Sequence, residues 1–381
     1  MPKKRAKENR NLPPRWRKKN GAYYYRVPVG LEYLWDDKTE FRLGKTLAEA
    51  HVAYGERIQN PKPVSKMSDL MERYQLTVVA PQKPATRRTK NHCYQLMLPV
   101  IGHLKPEEIT PVMVNEVMDR LKTKRSQSIA RLTYSYLSHL FTKAISWGVI
   151  DIHPMKGRAD KPKATKRTRY VEDWELAEAL TVAPLNIKAH LYLKMVSGLR
   201  RSDVLTIRTD AVFRTPQHAK RLAKHPESIT IDDLNQHGLR IQPVKTQDSS
   251  GKVNLLQWEP QLVSAVQFAL SVNPCMSPEY LILTKRCQCY MDLEEGTASG
   301  FDSLWSRWQD KAIKETNLKE KFQEKDIRAK VASDIDLQHA SKLLAHTTEQ
   351  ITETVYRRKG ELVEPAQIDA EILKYLESET K

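Results

Sequence analysis

Two proline-bearing breaks limit what this chain of 381 residues can fold into. One lies at Pro61 and Pro63; the other runs from Lys161-Pro162-Lys163 through Lys166 and Arg167 to Arg169. Proline removes an amide donor and pushes the residue before it out of helical geometry, so neither stretch continues a helix or a central strand. The chain also exceeds the size at which single cores stop growing, roughly 250–300 residues. It is therefore predicted to be a multidomain α+β protein. The expected parts are a small β-sheet with one helix over 1–62, a helical domain over 64–156, a basic linker over 157–169, and a mainly α domain with a small β-sheet over 170–381.

The first part opens with Lys3, Lys4, Arg5, Lys7, Arg10, Arg15, Arg17, Lys18 and Lys19, opposed only by Glu8, and reads as a flexible basic arm. Asn20-Gly21 then predicts a turn. Ala22 to Val27, with three consecutive tyrosines, has strand composition, and a second strand is expected from Glu40 to Leu43, ending at Gly44. Thr46-Leu47-Ala48-Glu49 is a capping box that opens a helix with an apolar face at Leu47, Ala50, Tyr54 and Ile58.

In the second part helices are predicted over Thr86–Leu96, Pro111–Leu121 and Gln127–Trp147. The last carries Ile129, Leu132, Leu137, Leu140, Phe141, Ala144 and Ile145 on one side. Arg87, Arg88 and Lys90, and then Lys122, Lys124 and Arg125, stand near helix ends, where they either grip phosphates or form an ordinary solvated face. Lys163, Lys166 and Arg167 make the linker basic enough to lie along a polyanion. In the third part, helices are expected near Asp173–Thr181 and Ile187–Val196. A hairpin is expected from Arg240-Ile241-Gln242-Pro243-Val244-Lys245, a polar turn through Gly251, and Val253-Asn254-Leu255-Leu256. The polar, basic stretch between Asp210 and Gly238 reads as a loop. The tail from Arg357 to Lys381 carries Ile368, Ile372, Leu373 and Leu376 at helical spacing, a stripe that docks either on its own domain or on a second copy.

A formal net charge of +17 and a pI near 9.5 favour a polyanionic partner, through release of its condensed counterions. No apolar run approaches the ~20 residues that cross a bilayer, and no hydrophobic signal segment opens the chain, so a soluble, cytoplasmic protein without membrane contact is expected. Cys93, Cys275, Cys287 and Cys289 form neither a Cys-x-x-Cys pair nor a histidine-containing ligand set. Neither a disulfide framework nor a metal site is expected, and no cofactor.

The chemistry-bearing residues lie in the third part. Arg200 follows a helix-ending Ser197-Gly198-Leu199; Lys245 sits in the predicted hairpin; Lys325 stands three residues before Arg328; His346 follows Leu343-Leu344-Ala345. Tyr356 comes ten residues after His346 and is followed by Arg357, Arg358 and Lys359. A DNA phosphodiester is an anion that resists attack, so its non-bridging oxygens must be neutralised as charge builds in the transition state. Two guanidiniums suit this, each a planar fork of donors charged at any working pH. A tyrosine hydroxyl ordinarily titrates near pH ~10 and must lose its proton as it attacks. Either His346 or Lys325 is placed to accept that proton, and Lys245 to return one to the departing sugar oxygen. A phosphotyrosine would conserve the bond energy for rejoining without ATP.

Arginine, lysine, a basic residue three before a second arginine, histidine, then tyrosine: this ordered set resembles the tyrosine recombinases, the phage integrase family. Three positions depart from the family pattern. Lys325 stands where histidine is usual, Ala345 where the motif has glycine, and the step from His346 to Tyr356 is one residue longer than the commonest spacing. Asn11-Leu12-Pro13-Pro14 through Tyr25 and on to Phe41-Arg42-Leu43-Gly44 resembles the arm-binding domain of lambda-type integrases, and Ile101-Gly102-His103-Leu104 with Ile109-Thr110-Pro111 resembles connections in the family's core-binding domain.

The resemblance implies a site-specific integrase of a phage or genomic island that cuts and rejoins DNA through a 3′-phosphotyrosyl intermediate, without metal or ATP. It further implies a homotetramer on core-type and arm-type sites of double-stranded DNA in a bacterial cytoplasm, assisted by an excisionase and a DNA-bending host protein. A catalytically weakened DNA-binding homologue and a type IB topoisomerase-like enzyme are the alternatives.

Overall fold

The computed structural model describes residues 9, 12–13, 15–27, 32–59, 64–243, 251, 253–360 and 364–377. Two compact units emerge, Met1–Lys166 with Leu293–Thr297 and Arg167–Asp292 with Ala298–Lys381.

The first unit begins with an antiparallel sheet in the order β1 (Trp16–Lys19), β2 (Ala22–Arg26), β3 (Glu40–Gly44). Asn20 and Gly21 join β1 to β2 with φ of 50° and 70°, the left-handed pair that a two-residue hairpin needs. That register sets Trp16 opposite Tyr25, and both are buried with Trp35, Leu43 and Ala50. Arg17, Lys18 and Lys19 therefore belong to a strand, a correction to the flexible arm expected there. Burial of Trp16 outweighs the local charge density. Lys3, Lys4, Arg5, Lys7 and Arg10 lie outside the described residues.

Helix α1 (Leu47–Gln59) opens on the expected box: Glu49 N–H donates to Thr46 Oγ1 at 3.2 Å, while the Glu49 carboxylate accepts from the Lys45 and Thr46 amides at 2.8 and 3.4 Å. Ala50 and Tyr54 face the core, but Leu47 is exposed.

Helices α2 (Met67–Tyr74), α3 (Pro84–Ile101), α4 (Pro111–Lys124) and α5 (Gln127–Ser146) complete this unit, and α2 is prolonged by a π turn, Gln75–Val79. The sequence reading missed α2. Its apolar residues Met67, Leu70, Met71 and Tyr74 pack with Met97, Leu137 and Phe141. Helix α5 buries Ala130, Thr133, Leu137, Leu140, Phe141 and Ala144, whereas Leu132 and Ile145, expected on that face, are exposed.

The second unit contains α6 (Asp173–Thr181), α7 (Leu185–Ser197), α8 (Arg201–Leu205), α9 (Thr209–Val212), α10 (Pro216–Lys224) and the antiparallel hairpin β4 (Leu239–Ile241) and β5 (Asn254–Leu256). Helices α11 (Pro260–Ser271), α12 (Ser299–Glu315), α13 (Glu324–Asp334), α14 (Leu337–Leu343), α15 (Glu349–Ile351) and α16 (Ala370–Glu377) follow. Leu193, Val204, Phe301, Trp308 and Phe322 lie in its core.

The stretch read as a loop between Asp210 and Gly238 is folded. Thr215 caps α10, and Ala219, Leu222, Ile229 and Leu234 are buried in the same core, so a sparse apolar pattern sufficed. The cysteine reading is also corrected: Cys275 and Cys287 form a disulfide with Cα atoms 5.7 Å apart, while Cys93 and Cys289 are free. A chain reversal brings them together, with Cys287 N–H donating to the Thr284 carbonyl at 2.9 Å and Cys287 at φ 57°. Such a turn leaves no mark in cysteine spacing. Among the described residues no helix is long and apolar enough to cross a membrane.

Candidate active site

Helix α7 ends at Gly198, whose φ of 61° is left-handed. A Cβ added there would meet the Leu344 side chain at 2.9 Å, so glycine is demanded by backbone conformation and by close approach. The reversal sends Leu199 into the core and sets Arg200, half-buried, at the N-cap of α8. Lys194, fully buried, donates to the Leu199 carbonyl at 2.8 Å and pairs with Glu324 at the start of α13. The residue before Arg200 is thereby tied to the helix that carries Arg328.

Arg328 is 3% exposed. Its Nη1 donates to the Gly198 carbonyl at 2.5 Å and its Nη2 to the Leu344 carbonyl at 2.8 Å, joining the turn before Arg200 to the turn before His346. Burial lowers the Arg328 pKa, the Tyr356 oxygen beside it raises it, and the Arg200 charge lowers it again. Two cations and one phenol thus converge.

His346 is buried between two partners. Nε2 lies 3.3 Å from Arg328 Nη2 and Nδ1 lies 2.7 Å from Thr352 Oγ1. A guanidinium can only donate, so this hydrogen bond assigns the lone pair to Nε2 and the proton to Nδ1, with Thr352 accepting. Ala345, in the position where glycine is usual, holds φ 55°. The left-handed turn is kept despite a Cβ.

Tyr356 closes the group. Its ring centroid is 4.8 Å from that of His346, and Arg328 Cζ is 5.3 Å from the tyrosine ring. The extra residue between His346 and Tyr356 is taken up by a π turn over Thr352–Tyr356, in which Arg357 N–H donates to the Thr352 carbonyl at 3.1 Å. An i→i−5 bond accommodates one more residue than an α turn.

The structure thus brings Arg200, Arg328, His346 and Tyr356 into one neighbourhood. Lys325 is different: it projects to solvent from the first turn of α13, whereas Arg328, three residues on, is buried. His346 is the one of the two candidate proton acceptors whose ring packs on Tyr356. Lys245 lies outside the described residues, although the hairpin that flanks it is present. Sequence reasoning missed Thr352, Lys194 and Glu324. A threonine six residues after a histidine carries no signal, and Lys194 reads as an ordinary helix-end cation.

The predicted DNA-binding residues separate into two groups. Lys18, Lys19, Arg88, Lys124, Arg125, Lys163 and Lys166 are exposed, and Arg15 is half-buried. Arg17 pairs with Glu40. Arg87 is buried, and burial lowers its pKa. Lys90 donates to the Tyr74 hydroxyl at 3.0 Å, and Arg167 forms a two-pronged pair with Asp326, Nε and Nη2 each at 2.6 Å from a carboxylate oxygen. Arg87, Lys90 and Arg167 are thus already engaged within the chain, Arg87 by burial, Lys90 by Tyr74 and Arg167 by Asp326.

No protein-family model and no curated sequence matches this chain. Solved structures do. A lambda integrase dimer bound to a COC′ core site aligns with a TM-score of 0.57 and 19% identity, over 94% of this chain and 99% of that one. A lambda integrase tetramer bound to a Holliday junction gives 0.59 and 17% over the same shares. The chain has the lambda integrase fold. The Tn1549 transposon integrase in complex with circular-intermediate DNA aligns at 0.55 and 13% identity, over 82% of this chain and 99% of that one. The lambda integrase fold is thus matched along nearly the full length of this chain, its N-terminal sheet and its helical C-terminal unit included.

Proposed function

We propose that this chain is a site-specific DNA recombinase, an integrase that cleaves and rejoins strands through a 3′-phosphotyrosyl intermediate. The observation that carries the reading is the packing of Tyr356 against His346 and Arg328 in a fold shared with lambda integrase. Arg200 and Arg328 neutralise the non-bridging oxygens. Tyr356 attacks phosphorus while His346 or Lys325 accepts its proton, and the bond to the 5′ oxygen breaks as Lys245 protonates it. Rejoining runs the same steps backwards.

The first 62 residues are assigned to arm-type sites and 64–156 to core-type sites, with 157–169 as the basic connection. A lambda integrase neighbour is a tetramer on a Holliday junction, and by that likeness a homotetramer on DNA is the working assembly. Integration and excision of a phage or genomic island in a bacterial cytoplasm, with an excisionase and a bending protein as partners, complete the assignment. Ile368, Ile372, Leu373 and Leu376 are exposed in the tail, and the same unit has an open groove of about 870 Å³ lined by Met195, Val196, Leu256, Val331 and Leu343. The groove of its own chain or that of a second copy is the place assigned to that stripe.

The test is recovery of covalent protein–DNA adducts from a library of nicked duplexes, in chelator and without nucleotide. Adducts resistant to denaturation support the reading; adducts that form only with added magnesium contradict the charge-based mechanism.

A further inference from the structure

One face of α13 is a charged strip. Asp326, Lys330 and Asp334 are spaced four residues apart and point the same way. Two stretches of chain meet on it: the entry into this unit, Arg167 to Asp173, and the segment just after the nucleophile, Arg358 and Lys359.

Asp326 is the centre of the arrangement, with a side chain 0% exposed. One oxygen accepts from Arg167 Nε at 2.6 Å and from Arg358 Nη1 at 2.7 Å; the other accepts from Arg167 Nη2 at 2.6 Å and from the Gln323 amide at 2.8 Å. Burial alone would raise this carboxyl's pKa, but the hydrogen bonds hold it below the ordinary range. Arg358, whose side chain is 7% exposed, also donates to the Arg169 carbonyl at 3.0 Å. Its backbone amide donates to Ser333 Oγ at 2.8 Å, and the one proton of that hydroxyl faces two carbonyls, Ala329 at 2.8 Å and Tyr356 at 3.1 Å. Further along the strip, fully buried Lys330 pairs with Asp173 at 2.6 Å and Asp334 at 2.9 Å, and donates to the Tyr170 hydroxyl at 3.1 Å. Lys359 reaches Asp334 at 3.5 Å.

The Tyr356 ring is held by His346 and Arg328, and its backbone by the segment that follows it. The Tyr356 carbonyl competes with that of Ala329 for the Ser333 proton, and two residues later Arg358 is locked on Asp326. The buried carboxylate that holds Arg358 is the one that Arg167 also grips. We propose that Asp326 is a positioning residue for Tyr356, acting through Arg358, and that Arg167 ties this hold to the chain's entry into the unit. Asp326 touches no reacting atom. It fixes the backbone from which the phenol is presented, while Arg167 keeps its carboxylate ionised and aimed. An entry segment pulled off Asp326 would loosen the nucleophile.

The inference rests on Tyr356 being the nucleophile, so the test has one arm that needs that reading and one that does not. In the first, single-turnover cleavage of nicked duplexes recovered by the wild-type chain is compared for Arg358→Met and Arg167→Met. Misplacement of a reacting group by about 1 Å costs on the order of 100-fold, so Arg358→Met is expected to slow adduct formation roughly 10- to 100-fold, and Arg167→Met less. The same changes in a Tyr356→Phe background are then assayed with hydrogen peroxide as the attacking nucleophile, which needs Arg200, Arg328 and His346 but no tyrosine. There the expected rate is unchanged. Equal loss in both reactions would make the cluster a general structural support and overturn the proposal.

In the second arm, hydrogen exchange of the peptide over 349–360 is followed without DNA. Faster exchange is expected in Arg358→Met and Asp326→Asn, and to a lesser degree in Arg167→Met. Wild-type protection in Arg358→Met overturns the positioning role, and wild-type protection in Arg167→Met overturns the tie to the entry segment. If the wild-type chain forms no adduct, the proposed function fails, and the exchange arm still decides whether the hold exists.

Discussion

Arg328 and Lys18 carry the same charge in opposite circumstances. Arg328 is buried, its guanidinium fixed on the Gly198 and Leu344 carbonyls before any ligand arrives. Lys18 stands exposed on β1, on a sheet whose other face is buried aromatic side chains. A fixed, desolvated cation discriminates a transition state from a ground state, because no reorganisation is needed when charge develops. A solvated lysine attracts a polyanion at any register and yields to salt. Under the proposed function, the C-terminal unit would do the chemistry and the N-terminal sheet would gather affinity.

The contrast breaks most severely at Glu324. Glu324→Gln would leave fully buried Lys194 without its counter-charge, which typically costs about 3–5 kcal/mol. The effect is measured as a loss of unfolding free energy at neutral pH. The acid limb should change as well. Burial raises the Glu324 carboxyl, but Lys194 and His190 more than offset this and lower it from its ordinary 4.5 to about 2. A depressed carboxyl stabilises the fold above its ordinary value and loses that contribution as pH falls through 4.5 towards 2. The glutamine variant should therefore show a flatter decline over that window. An identical decline would mean that Glu324 is not the titrating group.

Next in size is Arg328→Ala. Removing a preorganised donor costs roughly 10²–10³ in rate, and the same substitution frees the Gly198 and Leu344 carbonyls, so cleavage should nearly vanish while DNA is still bound. A variant that cleaves within about tenfold of wild type would dissolve the distinction between the two regions. Gly198→Ala comes third, with about 1–2 kcal/mol expected from the left-handed backbone alone and more from the approach of Leu344. It is read by thermal unfolding. The smallest effect belongs to the exposed side. Lys18→Ala with Lys19→Ala should reduce the log–log salt slope of DNA binding by about 0.9 for each phosphate no longer neutralised, with the cleavage rate of bound DNA unchanged.

Much of this is legible in the sequence where a local rule applies. The capping box at Thr46, the turn at Asn20-Gly21 and the bounds of α6 depend on neighbouring residues, and the structure has them where the sequence puts them. The order of Arg200, Arg328, His346 and Tyr356 points to residues that the fold brings together. What is illegible depends on partners distant in sequence. Lys325 and Arg328 differ by three positions and look equally available, yet one faces solvent and the other the core. Arg167 looks like one more linker cation, but its carboxylate partner lies 159 residues away. Cys275 and Cys287 need a reversal that no spacing rule announces. The fold over 210–238 escapes because its buried apolar residues are dispersed among charges.

As the proposed nucleophile, Tyr356 should become covalently joined to DNA. Adducts trapped on nicked duplexes, digested with protease and nuclease, can be mapped by mass spectrometry to a single tyrosine. A nucleotide-bearing peptide containing Tyr356 is expected, and it is lost in Tyr356→Phe, with DNA binding retained. A modified peptide containing Tyr375 instead, or an adduct undiminished in the phenylalanine variant, would contradict that assignment.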